Sequence, residues 1–243
     1  MTQLLKHSIR SAVEATGHQI RRTSVYSSQE LRYRRLFSLL NLDIILDVGA
    51  NAGQFAKLCR ALGHHGPILS FEPSNTAYQK LLHASASDSL WTVAGIALGA
   101  ESGEAQINIS ADSFCSSILP MLDSHLAAAP HSGYLHKEKV SIRRLDDVLP
   151  PAAFKSRAFL KLDVQGFELQ VLSGAPKLLS KALAVQLEMS LIPLYQGETL
   201  MPEMSAIMSS HGFQLWDLEP SFRDSATGRL LQVDGIFVRT DNL

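Results

Sequence analysis

The chain has only two cysteines in 243 residues, Cys59 and Cys115. Two are too few for a disulfide framework, and they stand too far apart for a metal knuckle. Cys59 falls on a predicted helix and reads as a buried free thiol. No stretch approaches the roughly twenty apolar residues of a membrane span, and the N-terminus lacks the apolar core of a signal peptide. The expectation is therefore a cytosolic protein. Charge of one sign is also missing: 22 Lys and Arg against 23 Asp and Glu leave a formal net charge of −1, which gives no overall pull toward nucleic acid. Internal repeats and low-complexity segments are absent.

What remains is an ordinary globular composition, 46% hydrophobic and 19% charged, with material for a sizeable core. The charge is uneven. Residues 1–35 carry seven Lys and Arg against Glu14 and Glu30, so the remainder is acidic. Leu4, Leu5, Ile9, Ala12 and Val13 recur at helical spacing over residues 3–20, with Lys6 and Arg10 among them, which predicts a basic amphipathic helix. One use for it is docking to anionic lipid at an inner membrane face. The plain alternative is packing on the sheet edge, on a partner subunit or over the cofactor, and an oligomer is compatible with the second of these. A second helix over 29–40 leads into the first strand, so residues 1–40 read as a helical extension and 41–243 as the main domain.

Strands are predicted over 44–48, 68–72, 91–97, 158–163, 183–188, 213–218 and 232–238, and helices over 54–63, 74–84, 167–180 and 200–211. Alternation of this kind argues for an α/β fold with a mostly parallel sheet and helices on both faces. The last two strands lack a connecting helix and should pair antiparallel. Glu104–Ile109 and Val140–Arg144 alternate like strands, whereas 110–139 is rich in Ser, Ala, His and Gly. That insertion reads as a substrate-side cover, with a mobile surface loop as its alternative.

The most informative stretch is Ile44–Phe55. An apolar strand ends in Asp47, and Gly49, Asn51 and Gly53 form a small-residue turn before a helix. About twenty residues on, Ile68–Phe71 ends in Glu72, where a carboxylate can accept hydrogen bonds from ribose hydroxyls. The loop is G-x-N-x-G, which lacks the third glycine of the dinucleotide fingerprint, and it has no lysine followed by Ser or Thr. A ribose-bearing cofactor without phosphate, S-adenosylmethionine (SAM), suits such a loop, with Asp47 near its methionyl end and Glu72 on its ribose.

A second cluster lies in 158–168. Lys161 and Asp163 are two apart and share a face, and Gly166 leads tightly into a helix bearing Glu168. Asp163 either serves the site or caps that helix. Lys161 either orients Asp163 or lets its amine snorkel outward. Glu188 ends the next strand and points to the same edge, so Asp163 and Glu188 are candidates for a Mg²⁺ site or for base and orienting roles. His125, His131 and His136, in or beside the cover, are further base candidates. His64-His65 reads as a surface turn, His211-Gly212 as a helix end, and Trp91 and Trp216 as core.

The segments LDVGANAGQF, FEPSNTAYQKL, ALGAESGEAQI, RRLDDVL, LKLDVQGFELQVLSGA, LEMS with the following LY, and VDGIFVR occur in this order over roughly residues 40–240. In this the chain resembles FkbM-type SAM-dependent methyltransferases. The resemblance implies a Rossmann-like class I methyltransferase fold, a seven-stranded sheet with an antiparallel last strand, and methyl transfer to oxygen. The implied acceptor is a hydroxyl of a sugar in a glycan, glycolipid or glycosylated natural product, or of a polyketide-type compound. It puts Asp47, Gly49, Asn51 and Gly53 on the cofactor loop, Glu72 on the ribose-binding acid, Ile96-Ala97 where adenine packs, and Asp163 beside the transferred methyl. Three rivals stand against it. A nicotinamide oxidoreductase would want the missing glycine and a Tyr-x-x-x-Lys pair. A non-catalytic SAM-binding scaffold would show a ruined loop or no Asp163. An RNA methyltransferase would want a basic surface that the acidic remainder of the chain does not offer.

Overall fold

The computed structural model describes residues 3–18 and 23–242, with the side chains of residues 3–6 and 242 left outside. The expected contributions of Leu4, Leu5 and Lys6 and the charges of Arg21 and Arg22 therefore lie outside the described residues. The helix expected over 3–20 ends early, at Glu14, and residues 15–17 form a turn. The chain forms two compact units that divide between Leu39 and Leu40. In the first, α1 (Gln3–Glu14) leaves Ile9 41% exposed. The next helix, α2 (Gln29–Leu40), buries Tyr33, Leu36, Phe37 and Leu40, the i, i+3, i+4, i+7 stripe of an amphipathic helix. The rings of Tyr33 and Phe37 lie 5.8 Å apart.

The second unit begins with β1 (Ile44–Val48), α3 (Gln54–Ala61), β2 (Ile68–Phe71), α4 (Asn75–Ser85) and β3 (Trp91–Ala94). A lesser sheet follows, with β4 (Ala97–Leu98), β5 (Gly103–Ser110), α5 (Asp123–Ala128) and β6 (Tyr134–Arg143). The chain then returns through α6 (Leu145–Val148), β7 (Ala158–Leu162), α7 (Glu168–Ser173), α8 (Pro176–Leu179) and β8 (Ala184–Ser190). It ends with α9 (Met201–Ser210), β9 (Phe213–Pro220) and β10 (Gln232–Arg239).

The main sheet has seven strands in the order β3-β2-β1-β7-β8-β10-β9, and β10 alone runs against its neighbours. This is the sheet expected from the resemblance. Every residue of β1 and β7 is buried, which is why both read as apolar runs, broken only by Asp47 and Lys161, rather than alternating ones. The chain moves outward from β1 to β3, then crosses through the lesser sheet (β4-β6-β5) to β7 on the other side of β1. That reversal opens a crevice at the carboxyl ends of β1 and β7, where open α/β sheets bind ligands.

Several local expectations are corrected. The strand expected over 91–97 breaks at Gly95-Ile96, so that β3 and β4 belong to different sheets. The helix expected over 167–180 is two short ones, because Gly174 passes so close to Gly99 that a Cβ would fall 2.0 Å from its carbonyl oxygen, and Pro176 opens α8. The last residues of the 110–139 insertion are strand, since β6 starts at Tyr134. Glu188 does not end its strand, which continues to Ser190. Trp216 is 47% exposed instead of core, because β9 is the sheet edge. His64 is buried rather than part of a surface turn, its ring 3.3 Å from the Pro67 carbonyl. Trp91 is core as expected, donating to Ser70 Oγ at 2.9 Å.

Candidate active site

The loop after β1 is built by close backbone approach. Gly49 sits at φ 75°, and a Cβ there would fall 1.8 Å from the Asp163 carbonyl oxygen, so only glycine lets this loop pass the end of β7. The N–H groups of Gly49 and Ala50 both donate to the Phe71 carbonyl at 3.0 Å. Asn51 follows at φ 47°, and its N–H donates to Glu72 Oε2 at 2.8 Å. The other Glu72 oxygen accepts from the Ser74 N–H at 2.9 Å. Burial pushes the Glu72 carboxyl up to about 7 in spite of these donors, and Asp47 and Asp163 add to the rise. The Asn51 side chain also donates to Ser113 Oγ at 3.1 Å, so the insertion reaches the loop. Gly53, at φ 82°, lies under Trp91, where a Cβ would come within 2.6 Å of the indole. Past β3, Ile96 is partly buried against the main core, whereas Ala97 is buried in the apolar cluster of the lesser sheet with Ile107, Ile109 and Val140.

On the other side of the crevice, Asp47 is fully buried beside Lys161 in the β1–β7 register. Its Oδ2 accepts from Ser70 Oγ at 3.3 Å. Its Oδ1 has no hydrogen bond and faces Lys161 Nζ at 3.6 Å. Burial raises the Asp47 pKa while Lys161 opposes the rise. Burial would likewise strip the proton from Lys161, but Asp163 and Asp47 outweigh it and hold the ammonium charged. Lys161 does not snorkel outward: Nζ donates to Asp163 Oδ2 at 3.1 Å. Asp163 does not cap the helix either. Phe167 occupies the cap position of α7, and the Val164 N–H is taken by Glu168 Oε1 at 2.9 Å. Glu168 is itself buried, which pushes its carboxyl up to about 8.

The structure brings Glu188 to the same edge. Its oxygens accept from Ser221 Oγ at 2.7 Å, from Gln232 Nε2 at 3.2 Å and from Gln165 Nε2. Burial, then Asp163 and Asp234, drive its pKa well up. Asp234 lies opposite Glu188 in the β8–β10 register, and burial followed by Asp163 raises it to about 6. The proposed Mg²⁺ pairing of Asp163 with Glu188 does not fit this arrangement. The Gln165 amide nitrogen donates to both carboxylates, filling the place between them with N–H groups. Among the described residues no group of three or more His, Cys, Asp or Glu could hold a metal ion.

A different cation does fit. Carboxylates at this edge raise one another's pKa, Asp163 acting on Asp47, Glu72, Glu188 and Asp234 after burial itself. A positive charge brought among them offsets that repulsion, and a sulfonium carries one. Each Glu72 oxygen keeps a second lone pair for a ribose hydroxyl. Of the histidines, His131 and His136 are exposed, and His136 faces Glu138 at 3.2 Å. His125 is buried, its Nε2 3.2 Å from Tyr195 Oη. Gln165, Tyr195 and Asp234 were not singled out from the sequence, although each falls inside a segment of the resemblance.

The family model described as the Methyltransferase FkbM domain matches residues 47–215. No curated protein matches the chain. Among solved structures, TehB from Haemophilus influenzae is 8% identical with a TM-score of 0.47, and the alignment covers 90% of this chain and 64% of TehB, under two thirds of its length. An S-adenosylmethionine-dependent methyltransferase from Mesorhizobium loti is 10% identical, with a TM-score of 0.46 and coverage of 89% of this chain and 100% of that one. A TehB-like SAM-dependent methyltransferase from Corynebacterium glutamicum is 11% identical, with a TM-score of 0.40 and 97% of both chains covered.

Proposed function

Since the chain belongs to the FkbM methyltransferase family, we propose that it is a SAM-dependent O-methyltransferase acting on a hydroxyl of a sugar in a glycan, glycolipid or glycosylated natural product. The observation that supports transfer to oxygen most directly is the seat of Asp163. It stands at the carboxyl end of β7, against Gly49 of the cofactor loop, with Lys161 on one oxygen and Gln165 on the other. A hydroxyl is a poor acid and must lose its proton as it is methylated, and a fixed carboxylate beside the reacting carbon can take it.

Bound SAM supplies a methyl group already activated by its sulfonium. This chain's part is to hold, orient and deprotonate. In the proposal, Glu72 accepts the ribose hydroxyls and Ile96 packs on the adenine. Ala97, turned into the lesser sheet, contributes through its backbone alone. Asp163 holds the acceptor hydroxyl about 3–3.5 Å from the methyl and receives its proton, while Lys161 keeps the pair of Asp47 and Asp163 from both being uncompensated. Glu188 orients the site through Gln165. Beside Tyr195, an open groove of about 620 Å³ lined by Leu122, Leu191, Pro193, Leu200 and Pro202 supports an acceptor with an apolar portion. That chemistry is met by a glycolipid or a glycosylated natural product, and equally by a polyketide-type hydroxyl. The acidic balance of residues 36–243 favours these over a nucleic acid.

Titration of the protein with S-adenosylhomocysteine by calorimetry tests the cofactor reading. Micromolar binding, lost in Glu72→Ala, is expected. A folded protein that shows no heat with millimolar ligand is not a SAM enzyme. A screen of sugar and polyketide hydroxyls with labelled SAM then decides the acceptor class, and labelling of neither class would favour a non-catalytic SAM-binding scaffold.

A further inference from the structure

One side chain joins the parts of this edge. Gln165 follows Asp163 by two residues, is buried, and sits at φ 55°, a left-handed conformation that a residue with a Cβ rarely adopts. Its Nε2 donates to Asp163 Oδ1 at 3.0 Å and to Glu188 Oε2. Its Oε1 accepts from Tyr195 Oη at 2.7 Å. An amide nitrogen carries two hydrogens and a carboxylate none, so both hydrogens are spent on the two acids and the amide can face only one way. The same accounting continues outward. The single Tyr195 proton goes to Gln165, so His125 Nε2, 3.2 Å from Tyr195 Oη, must be the protonated nitrogen of the ring. Burial lowers the His125 pKa and keeps the ring neutral. Ser132 Oγ lies 3.0 Å from Nδ1 and donates its proton to the Ala129 carbonyl at 2.7 Å.

The resulting chain runs donor to acceptor in one sense: His125 of the insertion, Tyr195 after β8, Gln165 after β7, then the two acids. Each of the two acids receives its own N–H from that amide. The Ser117 hydroxyl also ties the Gln165 carbonyl at 2.7 Å, so backbone and amide are both fixed.

We propose that Gln165, held by Tyr195 and His125, is a positioning residue for methyl transfer: it separates Asp163 from Glu188 and turns the Asp163 carboxylate toward the methyl and the acceptor hydroxyl. This rests on the methyltransferase reading above, in which Asp163 stands beside the methyl. It makes the insertion a part of the catalytic geometry, since His125 comes from it.

Sinefungin tests this without knowledge of the acceptor, because it carries an amine where SAM carries its methyl. A carboxylate correctly aimed at that point favours sinefungin over S-adenosylhomocysteine. The ratio of the two dissociation constants, measured by calorimetry, reads the aim of Asp163, with Asp163→Asn as the floor. Gln165→Met is expected to lose at least fivefold of the wild-type preference while binding S-adenosylhomocysteine within twofold of wild type. Tyr195→Phe, which removes a single oxygen, is expected to shift the ratio the same way by a smaller factor. Folded variants that both keep the wild-type ratio, or that weaken both ligands equally, overturn the proposal and leave Gln165 a structural residue. If Gln165→Met does not fold, Tyr195→Phe decides. Wild-type protein that binds neither nucleoside overturns the methyltransferase reading itself, and that outcome is distinct from an unchanged ratio.

Discussion

Lys161 lies beside Asp47 in the register of the two central strands, its Nζ 3.6 Å from a carboxylate oxygen that has no hydrogen bond. The same Nζ donates to Asp163 at 3.1 Å. One buried ammonium therefore serves an acid inside the sheet and an acid at its ligand-binding edge. A buried charge is retained cheaply only when paired, so this lysine is what allows two aspartates to stand at the switch point.

Lys161→Met should consequently destabilise the fold by about 3–5 kcal/mol, because it leaves Asp47 buried without a counter-charge. Asp47→Asn combined with Lys161→Met should recover at least half of that loss. Urea unfolding of the single and double variants completes the cycle. A single-variant loss under about 1 kcal/mol, or strict additivity, would show that the pair is not coupled.

Gly49→Ala should cost about 2–4 kcal/mol, from overpacking and a left-handed backbone together. The added methyl falls 1.8 Å from the Asp163 carbonyl, which is backbone and cannot rotate away. Loss of S-adenosylhomocysteine binding should accompany it, since the loop and the end of β7 must part. Circular dichroism melting with calorimetry checks both; a variant with wild-type melting temperature would mean the loop does not pack as described.

Both thiols should resist modification in the native state. Cys59 is fully buried, and burial raises its pKa far above neutrality. Burial also pushes Cys115 up to about 12, aided by Asp112 and Glu188. Thiolate being the reactive form, a disulfide dye at pH 7.5 should label neither within the time that labels both in urea. Rapid native labelling of Cys59 would contradict its place on the buried face of α3.

The parts of the molecule legible in the sequence were those with a strong local signature. The runs Ile44–Val48 and Ala158–Leu162 are apolar apart from Asp47 and Lys161 because both faces are covered, and Gly49, Asn51 and Gly53 announce a turn that needs left-handed backbone at all three. The helix break at Gly174–Pro176 was written in residue types and could have been read. Trp216 could not, because its exposure follows from strand order, with β9 at the edge. Glu188 and Asp163 were correctly brought to one edge, but the metal placed between them was not. What stands there is Gln165, and an uncharged amide gives no sequence signal of bridging two acids. The pairing of Tyr195 with His125 was invisible for a similar reason: they meet across 70 residues, and only the fold sets that distance.

The raised pKa of Glu72 gives the last prediction. Its carboxyl titrates at about 7 in the folded protein against an ordinary 4.5, so the folded state binds this proton more tightly than the unfolded state does. Stability should therefore fall as pH rises from 4.5 to 7, by about 3 kcal/mol for this group. Glu168, raised to about 8, extends a decline of the same sign to that pH. Glu72→Gln should make the decline shallower between pH 4.5 and 7, and Glu168→Gln should make it shallower all the way to about pH 8. Binding should move the other way. A protonated Glu72 has lost acceptor capacity for a ribose, so affinity for S-adenosylhomocysteine should drop as pH falls from 7.5 to 5.5, approaching tenfold per unit below the pKa. Glu72→Gln should bind weakly and without that slope. Melting curves and calorimetry on the same samples at four pH values test both halves. A wild-type affinity that is flat across the range would mean that Glu72 either stays ionised there or does not touch the ligand; stability that fails to decline between pH 4.5 and 7 would point to the first, and a decline with flat affinity to the second.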